Sequence, residues 1–178
     1  NGSPPLSMIF DSGLKSTIIT ELQPSDSLNL NYATMQKLFG LGSGNPVEAW
    51  VALHNQVKMG ELEWGNIEVM VLLENIFDFS HNMGMKINGV MGYDFFANYV
   101  VDIDYYDQLI RFYKPHEYRH PRFGKRLVLP LELTNYKPFI IGNVTLENGD
   151  IIPVKLLIDT GAGMALWLAL YGESRIVL

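Results

Sequence analysis

The chain has 178 residues, of which 48% are hydrophobic and 18% charged, with a net charge of −6 and no cysteine. This composition suits one or two small folded domains and argues against disorder. The negative balance gives no electrostatic reason to expect a nucleic acid partner, the lack of cysteine removes disulfide and thiolate chemistry without fixing a compartment, and no apolar run approaches the roughly 20 residues of a membrane helix.

No signal peptide is visible, and the opening Asn1-Gly2-Ser3 without an initiator Met is expected of a mature or trimmed form. The pattern that follows is mostly β. "PLSMIF" and "STIIT" are short apolar or β-branched runs on either side of Asp11-Ser12-Gly13. "YATMQKLF" reads equally as strand or short helix. "VEAWVALHNQVKMG" and "NIEVMVLL" continue the strand signal, and "YDFFANYV" after Gly92 predicts a helix of about two turns. "NYVVDIDYY" and "QLIRFY" form two strands around a turn near Asp107, with Asp102 and Asp104 on a solvated face. Trp64, Phe77, Phe79, Phe95 and Phe96 read as core. His54 and His81 have no evident partners in the sequence. Residues 114–126, "KPHEYRHPRFGKR", are basic, broken by two prolines and almost free of aliphatic side chains, which reads as a linker. Strands resume at "LVLPLELT", "PFIIGNVTLENG" and "IIPVKLLID".

An internal repeat organises these elements. "NGSPPLSMIFDSGLKST" (1–17) and "NGDIIPVKLLIDTGAGMA" (148–165) each begin with an Asn-Gly hairpin signal and run through an apolar strand to Asp-Ser/Thr-Gly, with one residue of insertion between the copies. In the second copy a strand precedes the Asn-Gly turn; in the first copy its equivalent is missing. Two repeats with one aspartate each point to one site built from two halves. Carboxyls brought within hydrogen-bonding reach cannot both ionise easily, so one keeps its proton, as in the well-known dyad of aspartic proteases. Such a pair can hold a water, deprotonate it and polarise a carbonyl, without metal or cofactor. Ser12 and Thr160 offer hydroxyls to brace the junction, and Gly13 and Gly161 permit close backbone approach.

With "LLIDTGA" and "MIFDSGL" in repeat, and "NGVMGYDFFANYVVDIDY" placing Gly89-Val90-Met91-Gly92 downstream of the first aspartate, the chain resembles the retropepsin-like aspartyl proteases in their bacterial form with two lobes in tandem. The resemblance implies a mostly β fold: a retropepsin-like (acid protease) β-barrel lobe with a short helix over 1–113, lacking its first strand, a linker at 114–126, and the truncated start of a second such lobe over 127–178. It implies a catalytic pair Asp11 and Asp159, supported by Ser12, Gly13, Thr160, Gly161 and Ala162, acting on a peptide or protein substrate with no cofactor. A flap would fall within 43–60, with Gly44 and Trp50 as substrate contacts. The bacterial form favours a periplasmic or exported location. Strands 138–158 docking on another molecule would give a homodimer or strand swap.

Two readings compete with the peptidase. A peptide-binding module on the same fold is favoured by Leu14, which stands where the family has a small residue and is bulky enough to crowd the site. "HEYRH" at 116–120 has the spacing of a zinc-binding helix, but Pro121 biases His120 away from helical geometry, and the segment reads as exposed linker.

Overall fold

The computed structural model describes residues 2–23, 26–38 and 46–166. Among the described residues the strands are β1 (Met8–Phe10), β2 (Thr17–Ile19), β3 (Tyr32–Leu38), β4 (Val47–Met59), β5 (Leu62–Leu72), β6 (Gly89–Met91), β7 (Val100–Asp104), β8 (Leu109–Tyr113), β9 (Glu132–Thr134), β10 (Lys137–Thr145) and β11 (Ile151–Leu157), with one short helix, α1 (Phe79–Met83). Six strands form a curled half-barrel in the order β1-β6-β2-β5-β4-β3. The pair β7–β8 and the antiparallel trio β11-β10-β9 form separate sheets. The fold is mostly β, as the sequence pattern implies.

Period-two alternation on β2 and β5 sends side chains to both faces of the six-stranded sheet. Ile19, Val69 and Val71 join Trp64, Ile67, Met91 and Phe95 in one cluster. Ile18 and Leu72 join Ala49 in the other, with Met70 and Leu14 packed against it. Trp64 meets Phe95, Tyr99 and Phe112 edge-on at centroid distances of 5.0, 5.6 and 5.8 Å, an arrangement that adds to the burial itself. Trp64 and Phe95 are buried; Phe77, Phe79 and Phe96 are half-buried.

The long β4–β5 hairpin bends where its register shifts around Asn55. His54 and Asn66 take left-handed backbone (φ 56° and 59°), and the His54 ring lies 2.6 Å from the Asn66 side-chain oxygen. The bulge leaves carbonyls without ladder partners. Buried Asn55 donates to two of them, Ala52 at 2.9 Å and Ile67 at 3.2 Å.

The topology that matters for function is β6 threaded between β1 and β2, parallel to the first and antiparallel to the second. A Cβ on Gly89 would collide with the Ile18 carbonyl and lie 2.9 Å from Ile19 Cα; one on Gly92 would lie 2.9 Å from the Leu14 and Lys15 carbonyls. Only glycine fits a strand so close to the backbone beside it. Asn88, just before β6, is fully buried. Its side chain accepts from the Ser7 N–H and donates to the Glu21 carbonyl and Asp26. The 2.5 Å bond from Lys86 holds the Asp26 carboxyl below its ordinary value.

Several local expectations change. "YATMQKL", Tyr32–Leu38, is strand. "YDFFANYV" forms only a single 3-10 turn, Tyr93–Phe95, followed by irregular turns, because Phe95 is drawn into the core beside Trp64. The α-helix lies instead at Phe79–Met83, closed by Gly84 in left-handed geometry (φ 65°). "LVLPLELT" yields only β9; Pro130 lacks a ladder donor, and Leu127, Val128 and Leu129 are exposed. Asp102 and Asp104 pair across the hairpin with Arg111. His81 lies 3.7 Å from Asp78, so both it and His54 have partners. Residues 116–120 form no helix, so the two histidines of "HEYRH" lack the one-turn helical spacing.

Gly89→Ala is expected to destabilise the chain by about 3 kcal/mol, the upper range for overpacking against backbone. Gly65→Ala, with nothing within 4 Å of the new methyl, should change stability by less than about 0.5 kcal/mol. Chemical denaturation of the two variants checks the contrast.

Candidate functional site

The two Asp-Ser/Thr-Gly segments, far apart in sequence, meet in space. Each follows an apolar strand, β1 or β11, which fixes the direction of entry. Within each loop the glycine N–H donates to the aspartate two residues earlier, Gly13 to Asp11 at 2.6 Å and Gly161 to Asp159 at 2.9 Å. These bonds hold each carboxyl over its own turn.

Between the loops the hydroxyls cross. The Ser12 N–H donates to Thr160 Oγ1 at 3.0 Å, and the Thr160 N–H donates to Ser12 Oγ at 3.1 Å. Each hydroxyl then donates onward to the carbonyl that precedes the opposite aspartate. Ser12 Oγ reaches Ile158 O, and Thr160 Oγ1 reaches Phe10 O, both at 2.7 Å. The four bonds form a closed, nearly two-fold set. Each hydroxyl acts as acceptor and donor together, which only Ser or Thr offers from so short a side chain.

The glycines complete the approach. A Cβ on Gly161 would lie 2.7 Å from Asp11 Cγ, and one on Gly13 would lie 2.9 Å from Asp159 Cγ. Each carboxyl therefore rests on the other loop's glycine, and the two carboxyls come within hydrogen-bonding reach of each other. Burial, the hydrogen bond to Asp159 and its charge push the Asp11 carboxyl up to about 6; the N–H groups of Gly13 and Leu14 act in the opposite direction. The surroundings are unequal. Ser12 and Gly13 are buried and Asp11 half-buried, whereas Asp159, Gly161 and Ala162 are exposed.

The remaining expected site residues stand apart. Trp50 lies on β4, paired with Met35 and Val71, and is 37% exposed. Gly44 lies outside the described residues. β4 runs from Val47 to Met59, antiparallel to β3 and to β5, with a turn at Gly60-Glu61. Leu14, partly buried, packs against the cluster of Ile18, Ala49 and Leu72.

A further contact near the loops had no sequence signal. Asn135 and Tyr136, both left-handed (φ 52° and 64°), turn β9 into β10. Lys15 Nζ sits 4.7 Å over the Tyr136 ring, which also lies 5.6 Å from the Tyr93 ring. Tyrosine is strained in that backbone conformation, and the ring contacts are what offset it. Asp94, next to Tyr93, is pushed up by burial and drawn down by Lys15.

Residues 1–95, more than half of the chain, match the sequence model of a family described as aspartyl protease. The chain belongs to that family, the retropepsin-like aspartyl proteases. No curated protein sequence and no solved structure matches it. Family membership supports a peptidase-type hydrolytic function in general.

The crossed bonds are testable by a double-mutant cycle on Ser12→Ala and Thr160→Val. Each single change is expected to cost about 1–2 kcal/mol, and the double change about 1 kcal/mol less than their sum. Denaturant midpoints read both quantities, and strict additivity would mean that the two loops are not joined.

Proposed function

We propose that Asp11 and Asp159 are the catalytic dyad of an aspartic endopeptidase, with each repeat supplying one carboxyl. The observation that carries this reading is the closed set of hydrogen bonds between Ser12 and Thr160, which leaves the two carboxyls facing one another. The pair keeps one proton and one negative charge over a broad pH range, and burial favours Asp11 as the proton holder. A water between the carboxyls loses a proton to the charged member and attacks the peptide carbonyl. The protonated member donates to the carbonyl oxygen as negative charge develops there. Proton return to the departing nitrogen completes cleavage and restores the single shared proton. The chain's own groups suffice for each of these transfers.

In this reading residues 1–113 are the first lobe, 114–126 a linker and 127–178 the beginning of a second lobe, with the dyad at their junction. Trp50, on the β4 strand paired with β3, belongs to the hairpin that would cover a bound peptide. The competing reading, a peptide-binding module without catalysis, rests on Leu14; its partial burial against Ile18, Ala49 and Leu72 supports the peptidase reading instead.

Asp11→Asn and Asp159→Asn are each expected to lower cleavage of an unstructured peptide mixture by at least about 100-fold, with circular dichroism unchanged. Activity of the unaltered protein should fall as pH rises through about 6, where Asp11 gives up the proton. Full activity in both variants would show that the aspartates do not form the catalytic pair.

A further inference from the structure

Charge is distributed unevenly along the chain. Residues 114–128, "KPHEYRHPRFGKRLV", hold five of the 13 Lys and Arg and one of the 19 Asp and Glu. This stretch therefore carries +4, and the rest of the chain −10. Its single carboxylate is already engaged, since Glu117 lies 3.9 Å from Lys114 and 3.5 Å from His116. Arg119 donates to the carbonyls of His116 and Tyr118, which leave its charge unneutralised. Among the described residues Arg122, Lys125 and Arg126 have neither an ion pair nor a hydrogen bond.

The stretch has a fixed base and an exposed tip. The Tyr118 ring lies 5.3 Å from that of Tyr113, the last residue of β8, and 5.1 Å from that of His120. Beyond this aromatic row the chain bends at Arg122–Gly124, with Gly124 in left-handed backbone (φ 102°). The bend carries Phe123 outward, 93% exposed, and Leu127 and Val128 follow at 81% and 73%. Three large apolar side chains thus stand in water within six residues, interleaved with Lys125 and Arg126. Isolated exposed apolar side chains are ordinary, but several together among cations mark a contact surface.

A partner for this surface must supply negative charge and take up apolar side chains at once. A soluble polyanion meets the first demand and leaves Phe123, Leu127 and Val128 in water. A folded protein meets both only with pockets shaped to side chains that no helix or strand holds in register. An anionic lipid surface meets both without shape complementarity. Cations lie on the headgroup phosphates while neighbouring aromatic and aliphatic side chains sink to the acyl boundary. The negative charge elsewhere on the chain does not cancel this attraction, because at physiological salt exposed charges more than about 8 Å away are largely screened. We propose that residues 119–128 form a peripheral membrane contact for anionic phospholipids. Arg119, Arg122, Lys125 and Arg126 lie on the phosphates, and Phe123, Leu127 and Val128 enter the boundary layer. The inference stands on charge and exposure and does not depend on the chain being a peptidase.

The test is co-sedimentation with vesicles of phosphatidylcholine alone and of equal parts phosphatidylcholine and phosphatidylglycerol. Binding is expected to the mixed vesicles only, weakening at least about 10-fold between about 0.1 M and 1 M salt. Replacing Arg122, Lys125 and Arg126 together by Gln should lower partitioning at least about 30-fold, at roughly fivefold per cation. Phe123→Ser combined with Leu127→Ser should lower it at least about 10-fold. Both variants alter only exposed side chains outside helices and strands, so circular dichroism should stay unchanged. Equal binding to the two kinds of vesicle, or binding to neither, would overturn the proposal. So would mixed-vesicle binding that the Ser pair leaves intact and heparin abolishes, since the stretch would then be a site for soluble polyanions.

Discussion

Everything in this molecule that bears on chemistry depends on two hydroxyls crossing between two loops. Ser12 and Thr160 each accept the other's backbone N–H and each donate to the carbonyl ahead of the other's aspartate. Individually such bonds are worth about 1 kcal/mol net. Together they oppose the repulsion that two facing carboxylates would otherwise exert, and they fix direction as well as distance. Burial first, and then the hydrogen bond to Asp159 and its charge, favour retained protonation, so the Asp11 carboxyl stands well above its ordinary value. Structure and proton affinity are therefore two expressions of one constraint.

The constraint is transmitted outward by backbone contact. The Met91 carbonyl accepts the Asp11 N–H at 3.0 Å, so β6 buttresses the loop from beneath. Gly89 and Gly92 allow β6 to lie there, and the Asn88–Asp26–Lys86 set holds its entry. On the other side Lys15 and Tyr93 receive Tyr136. The first-repeat loop is thus supported from below and beside, and much of it is buried. The second-repeat loop is held chiefly through the crossed bonds and remains exposed. This inequality gives the two carboxyls different environments even though their loops are built alike.

Much of this was legible in the sequence, for a physical reason. Asp-Ser/Thr-Gly after an apolar strand, and Gly-Val-Met-Gly downstream, record requirements of the backbone itself. A glycine needed for close approach, or a hydroxyl needed as donor and acceptor together, leaves few alternatives. The strands β4, β5, β7, β8, β10 and β11 were also legible, because alternation and turn residues agree locally. What failed was decided by distant partners. Phe95 is pulled into the Trp64 cluster, which reduces the expected helix to one turn. Pro130 cuts short a run that looked like a strand. Leu14 looked like a threat to the site because its direction could not be read. Tyr136 could not be anticipated at all, since a strained turn becomes acceptable only when Lys15 and Tyr93 lie beneath it. The Trp64 and Thr17 side-chain atoms that have no hydrogen-bond partner among the described residues likewise become visible only once the sheet is built around them.

The central claim is that Asp11 and Asp159 share one proton across the junction of the two repeats. Carbon-detected NMR titration of the Asp11 carboxyl reads this directly. The account predicts a midpoint near 6, moving downward in Asp159→Asn as the neighbouring charge is removed, while staying above 3.8 because burial is the largest cause of the shift. A midpoint at the ordinary 3.8, unchanged by Asp159→Asn, would contradict it.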